Sequence, residues 1–326
     1  MKDMKNYDNM TLQGKWNMLA IVANLYYNSE LTQNEIADRM YTSRSKISRM
    51  LKEARELGVV EITIKEPWER NLDAEEEIRK KFSIGNVRVV AVREENKNQI
   101  MDRLAEVSAY YLDSIVKENM VVGISWGNTL YHIVRYIDDN NKKNIPITVV
   151  PIMGASNVKR PERDAMDLAK DLASAYGGNY QYIYAPLYVK SKELKDSLIQ
   201  DEMISSAVAL ARSADIILTS VGSIENKTWK NYLGENTFAA LGKMGAVGHI
   251  GGHFYDANGK EVHTKLAERM IGIDFEDIGK CSNVVCVAYG AEKARAVEGA
   301  LQGGFINTLI TDIDCAERIL EARSTV

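Results

Sequence analysis

The sequence of 326 residues predicts an α/β chain in two parts. An N-terminal winged helix-turn-helix domain is expected over residues 1–66, followed over residues 67–326 by a mainly parallel, Rossmann-like α/β domain. Three observations predict this. Two short helical patterns separated by a tight turn fill Leu31–Gly58, the β-rich run VVEITI follows at Val59–Ile64, and beyond Pro67 short β-rich runs alternate with helical stretches.

Residues 1–10 are polar and expected to fray. From Leu12 to Tyr27 the positions Leu12, Trp16, Leu19, Ala20, Ala23 and Tyr26 mark an amphipathic helix that supports the helix pair. Thr32 with Glu35 three residues on is a capping box: the hydroxyl accepts an orphan backbone N–H and the carboxylate reaches back to the cap. Ile36, Ala37 and Met40 then face inward. A second start signal lies at Thr42 or Ser43, and Ile47, Met50, Leu51 and Ala54 recur at helical spacing until Gly58 stops the run.

At about 100° per residue, that apolar stripe puts Ser45, Arg49 and Lys52 on the opposite face, flanked by Ser48 and Arg55. A helix wedged by one face and offering Arg, Lys and Ser on the other suits a DNA major groove, with arginine for guanine edges or phosphate. The candidate DNA-binding residues are Thr32 and Gln33 at the start of the first helix and Arg44, Ser45, Lys46, Ser48, Arg49 and Lys52 on the second. A solvated basic face would account for the charges but not for the two-helix spacing. Val59–Ile64 is placed as the wing.

The formal net charge of −4 argues against nucleic acid until its distribution is considered. Residues 1–66 hold ten Lys/Arg against nine Asp/Glu, and Thr42–Arg55 alone holds five basic residues and one acidic. So few cations in one copy make few phosphate contacts and salt-sensitive binding, so dimers or larger assemblies are implied. No run approaches the roughly 18 apolar residues of a membrane span, and MKDMKNYDNM lacks a signal-peptide core, so a cytoplasmic protein without membrane partners is expected. Cys281, Cys286 and Cys315 have neither disulfide-framework nor zinc spacing and read as buried free thiols.

In the second part, Asp73–Lys81 reads as a linking helix after the break at Glu66-Pro67. Strands are expected at Asn86–Val92, Met120–Ser125, Ile147–Pro151, Tyr180–Tyr184, Asp215–Val221, Val284–Ala288 and Phe305–Ile310, with helices at Gln99–Val116 and Ala291–Leu301 among the intervening stretches. Ligands of such sheets bind outside the carboxyl ends of the strands. After the strand at Val121, the residues Gly123, Ser125, Gly127, Asn128 and Thr129 form a small polar strand-to-helix turn. Its N–H groups and hydroxyls point at one place, as an anion requires. It lacks the lysine of a P-loop and the spacing of the dinucleotide fingerprint, and an ordinary glycine-containing turn would look the same. Other strand ends resemble it: Gly154-Ala155-Ser156, Gly222-Ser223, and Gly290 to Lys293, where Lys293 is the cation to pair with a phosphate. GAVGHIGGHFYD adds His249, His253 and Asp256; its glycines disfavour a helical metal site, so hydroxyl recognition or structural histidine is expected and no metal or cofactor.

These segments together resemble the SorC family of bacterial sugar-binding transcriptional regulators. The resemblance runs through LTQNEIADRM, SRSKISRMLKEARELGVVEITI, GISWGNTL, ADIILTSVGS, GAVGHIGGHFYD and AYGAEKARAVEGALQGGFINTLITD. It implies a sugar-isomerase-type sensor fold, a phosphorylated sugar as effector, and dimers or tetramers on operator DNA. It places the family's phosphate cradle on Gly123, Ser125, Gly127, Asn128, Thr129 and Lys293. His249, and Gly222-Ser223 in place of a more usual Gly-Ile-Gly, depart from the family pattern at positions that bear on the sugar.

Two functions follow. One is an effector-controlled DNA-binding regulator of a carbohydrate-utilisation operon, with no catalytic residue. The other is an enzyme acting on sugar phosphates, with Asp256, His249 or His253 as acid or base; the N-terminal reading domain argues against it.

Overall fold

The computed structural model describes residues 7, 10–60, 69–91, 97–140, 143–156, 160–224 and 233–321. The chain divides into two compact units, residues 1–67 and 68–326.

The first unit is a three-helix core. Helix α1 (Leu12–Ala23) is capped by Thr11, whose hydroxyl accepts from the Gly14 N–H at 3.2 Å, and passes into a π-helical turn at Asn24–Asn28. Helices α2 (Gln33–Arg39) and α3 (Arg44–Glu56) follow. Leu19, Val22, Ile36, Ala37, Ile47, Met50, Leu51 and Ala54 are buried together with Tyr7. The expected inner face of α1 is corrected at its start: Leu12 is 85% and Trp16 45% exposed, and the buried stripe begins only at Leu19. The α-helix also ends at Ala23, with the π turn carrying the chain on to Asn28. Of the expected wing, residues 61–64 lie outside the described residues; Val59 and Val60 pack partly against the core.

The second unit runs α4 (Leu72–Phe82), β1 (Asn86–Val90), α5 (Lys97–Ile115), β2 (Val121–Ile124), α6 (Asn128–Asn140), β3 (Thr148–Pro151), α7 (Ala165–Ala175), β4 (Asn179–Tyr180), α8 (Lys192–Leu198), α9 (Glu202–Arg212) and β5 (Ile216–Thr219). It continues with β6 (Gly222–Ser223), α10 (Glu235–Lys243), β7 (Ala246–Ile250), β8 (His253–Asp256), α11 (Phe275–Lys280), β9 (Val284–Val287), α12 (Ala294–Gln302), β10 (Thr308–Asp312) and α13 (Ile313–Glu321).

Seven strands pair in parallel in the order β1-β10-β9-β5-β2-β3-β4. Every residue of β5, β9 and β10 is buried, because helices cover both faces and a parallel strand then has no polar side to alternate with. From β2 the chain moves outward through β3 to β4, then returns to lay β5 against the other side of β2. The direction of winding therefore reverses between β2 and β5, which opens a crevice at their carboxyl ends.

A smaller antiparallel sheet, β6-β7-β8, stands apart from this order. Its hairpin turns on Gly251 and Gly252, both at positive φ (55° and 96°), the two-residue Gly-Gly connection of a type I′ turn. The glycine-rich segment is thus a β-hairpin. Two strand expectations also shift: Tyr180–Tyr184 yields only the pair Asn179–Tyr180, and the last strand begins at Thr308, after Phe305 and Ile306 have turned into the core. No helix among the described residues is long and apolar enough to cross a membrane.

Candidate functional site

The outer face of α3 is built by local bonds. Ser43 caps it, its hydroxyl accepting from the Lys46 N–H at 3.3 Å, and the buried Ile47, Met50, Leu51 and Ala54 anchor one side. Arg44, Ser45, Ser48, Arg49 and Lys52 are left exposed opposite them. Lys52 lies 3.6 Å from Glu56, an exposed pair worth about 0.3–0.5 kcal/mol that leaves the lysine free to exchange partners. Lys46 departs from the expected face: it is half-buried, with its ammonium 5.7 Å from the Tyr7 ring centroid, because that ring packs beside the helix. Thr32 closes the expected capping box, its N–H and hydroxyl donating to Glu35 Oε2 at 2.8 and 2.7 Å, and the hydroxyl bond holds the Glu35 carboxyl below its usual pKa. The hydroxyl of Thr32 is therefore occupied. Gln33 lines an open cleft of about 670 Å³ with Tyr26, Tyr27, Asn34 and Arg44.

In the second unit the crevice between β2 and β5 gathers residues from five separate stretches. Ser125, at the end of β2, donates its N–H to Leu218 O at 3.1 Å, and its hydroxyl lies 3.0 Å from that of Thr219; both side chains are buried. Gly127 holds φ 133°, and a Cβ there would meet nothing within 4 Å, so the turn into α6 faces open space. Asn128 and Thr129 begin α6, where the first-turn N–H groups have no acceptor within the helix. Thr129 is only 4% exposed. Gly127 N–H donates to the carbonyl of Arg163, whose guanidinium lies 5.6 Å from the Tyr131 ring centroid. The buried Nε of Arg163 has no hydrogen-bond partner among the described residues.

Lys293 reaches the same crevice from β9. A short 3₁₀ turn, Ala291–Lys293, precedes α12 and directs the ammonium onto the end of β5, where it donates to Val221 O at 2.9 Å and Ser220 Oγ at 3.4 Å. One of its three N–H groups remains available. Burial lowers its pKa, and no carboxylate pairs with it among the described residues. His249 on β7 stands opposite Gly222 in the ladder, and its ring fills the place a side chain at 222 would take, with Nε2 1.9 Å from an ideal Cβ. Burial and then the charge of Lys293 push the imidazole pKa down to about 3, so it is neutral at physiological pH.

Several expected residues are engaged elsewhere. Gly123 is a packing position, since a Cβ there would come 2.7 Å from Ile152 Cγ2. Gly154 lies against the Ala185-Pro186 backbone, and Ala155 accepts from Leu187 N–H while donating to Ala185 O. Ser156 donates its N–H and hydroxyl to Asp164 Oδ2 at 2.8 and 2.7 Å, steadying the residue that caps α7. Ser223 is buried in β6. His253 has both nitrogens taken, by Glu261 Oε1 at 2.6 Å and Ile273 O at 3.0 Å. Asp256 closes its own turn by accepting from the N–H groups of Asn258 and Lys260, beside Gly299 well along α12 from Lys293. Thr219, Ser220 and Arg163 went unread in the sequence. The first two were visible as the polar end of a buried strand run; Arg163 sits in a basic stretch just past the strand end at Gly154–Ser156.

The crevice offers hydroxyls, orphan N–H groups, a lysine ammonium and a neutral imidazole, a set for binding an anion with hydroxyls attached. The Sugar-bind family model, a sugar-binding domain, matches residues 66–321, and a winged helix-turn-helix DNA-binding model matches residues 17–61. The crystal structure of the full-length sorbitol operon regulator SorC from Klebsiella pneumoniae superposes with a TM-score of 0.74 at 25% identity, covering 93% of this chain and 98% of that one. The chain belongs to the SorC family.

In sequence, the K. pneumoniae sorbitol operon regulator is 26% identical over 322 residues, 98% of this chain and 100% of the relative. The deoxyribonucleoside regulator of Bacillus subtilis is 29% identical over 302 residues, 91% and 95% of the two chains. As a SorC-family protein with a helix-turn-helix domain, the chain is a DNA-binding transcriptional regulator and not an enzyme. The acid or base roles weighed for His249, His253 and Asp256 are set aside accordingly.

Proposed function

We propose that this SorC-family regulator controls a carbohydrate-utilisation operon in the cytoplasm, and that a phosphorylated sugar bound at the carboxyl ends of β2, β5 and β9 governs the grip of paired α3 helices on operator DNA. The observation that carries this reading is the convergence of Ser125, Thr219 and the open turn at Gly127 with the Lys293 ammonium, which has no carboxylate partner among the described residues. A phosphate answers each feature: its oxygens accept from the first N–H groups of α6, from the hydroxyls of Ser125 and Thr129, and from Lys293. Arg163, with a buried donor unused, is assigned as a second cation at the rim.

The neutral His249 imidazole suits sugar hydroxyls, since it can both donate and accept. Gly222 keeps room for its ring. The relatives named for a sorbitol operon and for deoxyribonucleosides support a carbohydrate effector, and their difference leaves the sugar itself open to screening.

We assign DNA reading to residues 1–66, and effector binding and assembly to residues 67–326. Assembly into dimers or tetramers follows from charge: the few cations on one α3 give few phosphate contacts, and paired copies engage two half-sites at once. Effector binding that favours one arrangement of the paired copies then shifts DNA affinity by linkage.

A thermal-shift screen of sugar phosphates beside their unphosphorylated sugars tests the reading. One phosphate at 100 times its Kd should stabilise the protein by about 2.7 kcal/mol, with little response to the same sugar lacking phosphate. Equal response to both would overturn the phosphate assignment.

A further inference from the structure

The turn between α2 and α3 holds a tyrosine where the backbone favours glycine. Helix α2 ends in a Schellman closure: Thr42 N–H donates to Ala37 O at 2.9 Å and Tyr41 N–H to Asp38 O at 3.3 Å. This closure requires a left-handed residue after the Met40 cap, and Tyr41 supplies it at φ 50°. Glycine is the usual occupant, because the Cβ of any other L residue crowds the adjoining backbone in that conformation.

The ring returns nothing to the fold. Tyr41 is 81% exposed, the most exposed tyrosine, tryptophan or phenylalanine among the described residues, and within them its side chain has no hydrogen bond and no ring or cation contact. A bulky side chain in a strained position, unsupported from within, points to a contact outside the chain.

Its place selects the partner. Tyr41 stands three residues before Arg44, at the end of α3 where Arg44, Ser45, Ser48 and Arg49 are exposed. In helix-turn-helix docking the first residues of the second helix meet base edges, so the turn leading into it runs along the groove rim, where the phosphates are. Arg39 and Arg44 on either side, both exposed, favour a polyanion over an apolar partner.

We propose that Tyr41 is a DNA-backbone contact of the reading unit, its hydroxyl donating to a phosphate oxygen at the rim of the groove that α3 enters. The proposal rests on α3 being the reading helix.

The test uses the full chain, a duplex selected by the wild-type protein from a randomised pool, and an unrelated duplex of equal length. Tyr41→Phe should leave the melting temperature unchanged and weaken binding to both duplexes by the same factor, roughly 10- to 150-fold for one hydrogen bond to a charged phosphate oxygen. Tyr41→Gly should raise the melting temperature and weaken binding at least as much. Neither should alter the slope of affinity against salt, because a neutral hydroxyl displaces no counterion.

Wild-type affinity in Tyr41→Phe, or a lowered melting temperature in Tyr41→Gly, overturns the proposal. Arg49→Ala supplies the separate control. It should lose the preference for the selected duplex, and if that preference survives, the reading of α3 falls whatever Tyr41 does.

Discussion

Lys293→Met separates ligand recognition from folding at the candidate effector site. Methionine keeps the length and apolar stem of the lysine but removes the ammonium, which donates to Val221 O at 2.9 Å and to Ser220 Oγ at a weaker 3.4 Å. Losing one good hydrogen bond to a charged group costs about 1.5–3 kcal/mol. Against that, the ammonium is held in surroundings that disfavour its charge, as its lowered pKa records, and the Glu292 charge only partly offsets that burial. The two effects oppose, so the free protein should shift in stability by no more than about 1–2 kcal/mol, a few degrees in Tm for a unit of this size. With a phosphate bound, the balance changes. The third N–H of the ammonium then makes a charge-assisted bond that methionine cannot make, and about 1.5–3 kcal/mol corresponds to roughly 10- to 150-fold in Kd. Calorimetric titration with the sugar phosphate that gives the strongest thermal shift, alongside melts of the free variant, measures both quantities. A Kd within threefold of wild type, in a variant that melts normally, would refute the placement of the phosphate at Lys293.

Three further outcomes are expected. Arg49→Ala should cost about 1–3 kcal/mol per half-site in binding to a selected operator duplex, whereas Lys46→Ala, whose ammonium lies over Tyr7, should cost less; equal losses in gel-shift titrations would show that the exposed face has been misjudged. Residues 67–326 should remain oligomeric without the first unit, and light scattering that finds a monomer sinks the assignment of assembly to that part. Stability should fall as pH drops below about 6.5, because the unfolded chain protonates its His249 imidazole there while the folded one, with its pKa near 3, stays neutral. The loss from this group is at most about 1.4 kcal/mol for each pH unit between those values. Denaturant midpoints at pH 7 and pH 5 should therefore differ less in His249→Gln than in wild type, and an unchanged difference would show that the imidazole is not held neutral.

The reading unit was legible because its determinants lie three or four residues apart. Thr32 and Glu35 cap α2, Ser43 caps α3, and the stripe Ile47, Met50, Leu51 and Ala54 needs only the helical period to define a buried face. The parallel sheet was legible as a class, since β5 and β9 are short apolar runs with helical patterns between them. The order of its strands was not, because neighbours in a parallel sheet are chosen by crossovers that leave no local mark. That order alone brings the Ser125 hydroxyl to Thr219, 94 residues away, and the Lys293 ammonium to Val221, 72 residues away. The same long-range packing turned Lys46 toward Tyr7 and occupied Ser156 with Asp164. It also drew both nitrogens of His253 onto Glu261 and Ile273, which sequence spacing could not distinguish from a ligand-facing histidine. By itself the sequence determined which residue types stand at the strand ends and on the outer face of α3, through short-range bonds and periodicity. Only the tertiary structure decided which of those polar groups remain unspent and face one another, because that depends on which strands the chain lays side by side.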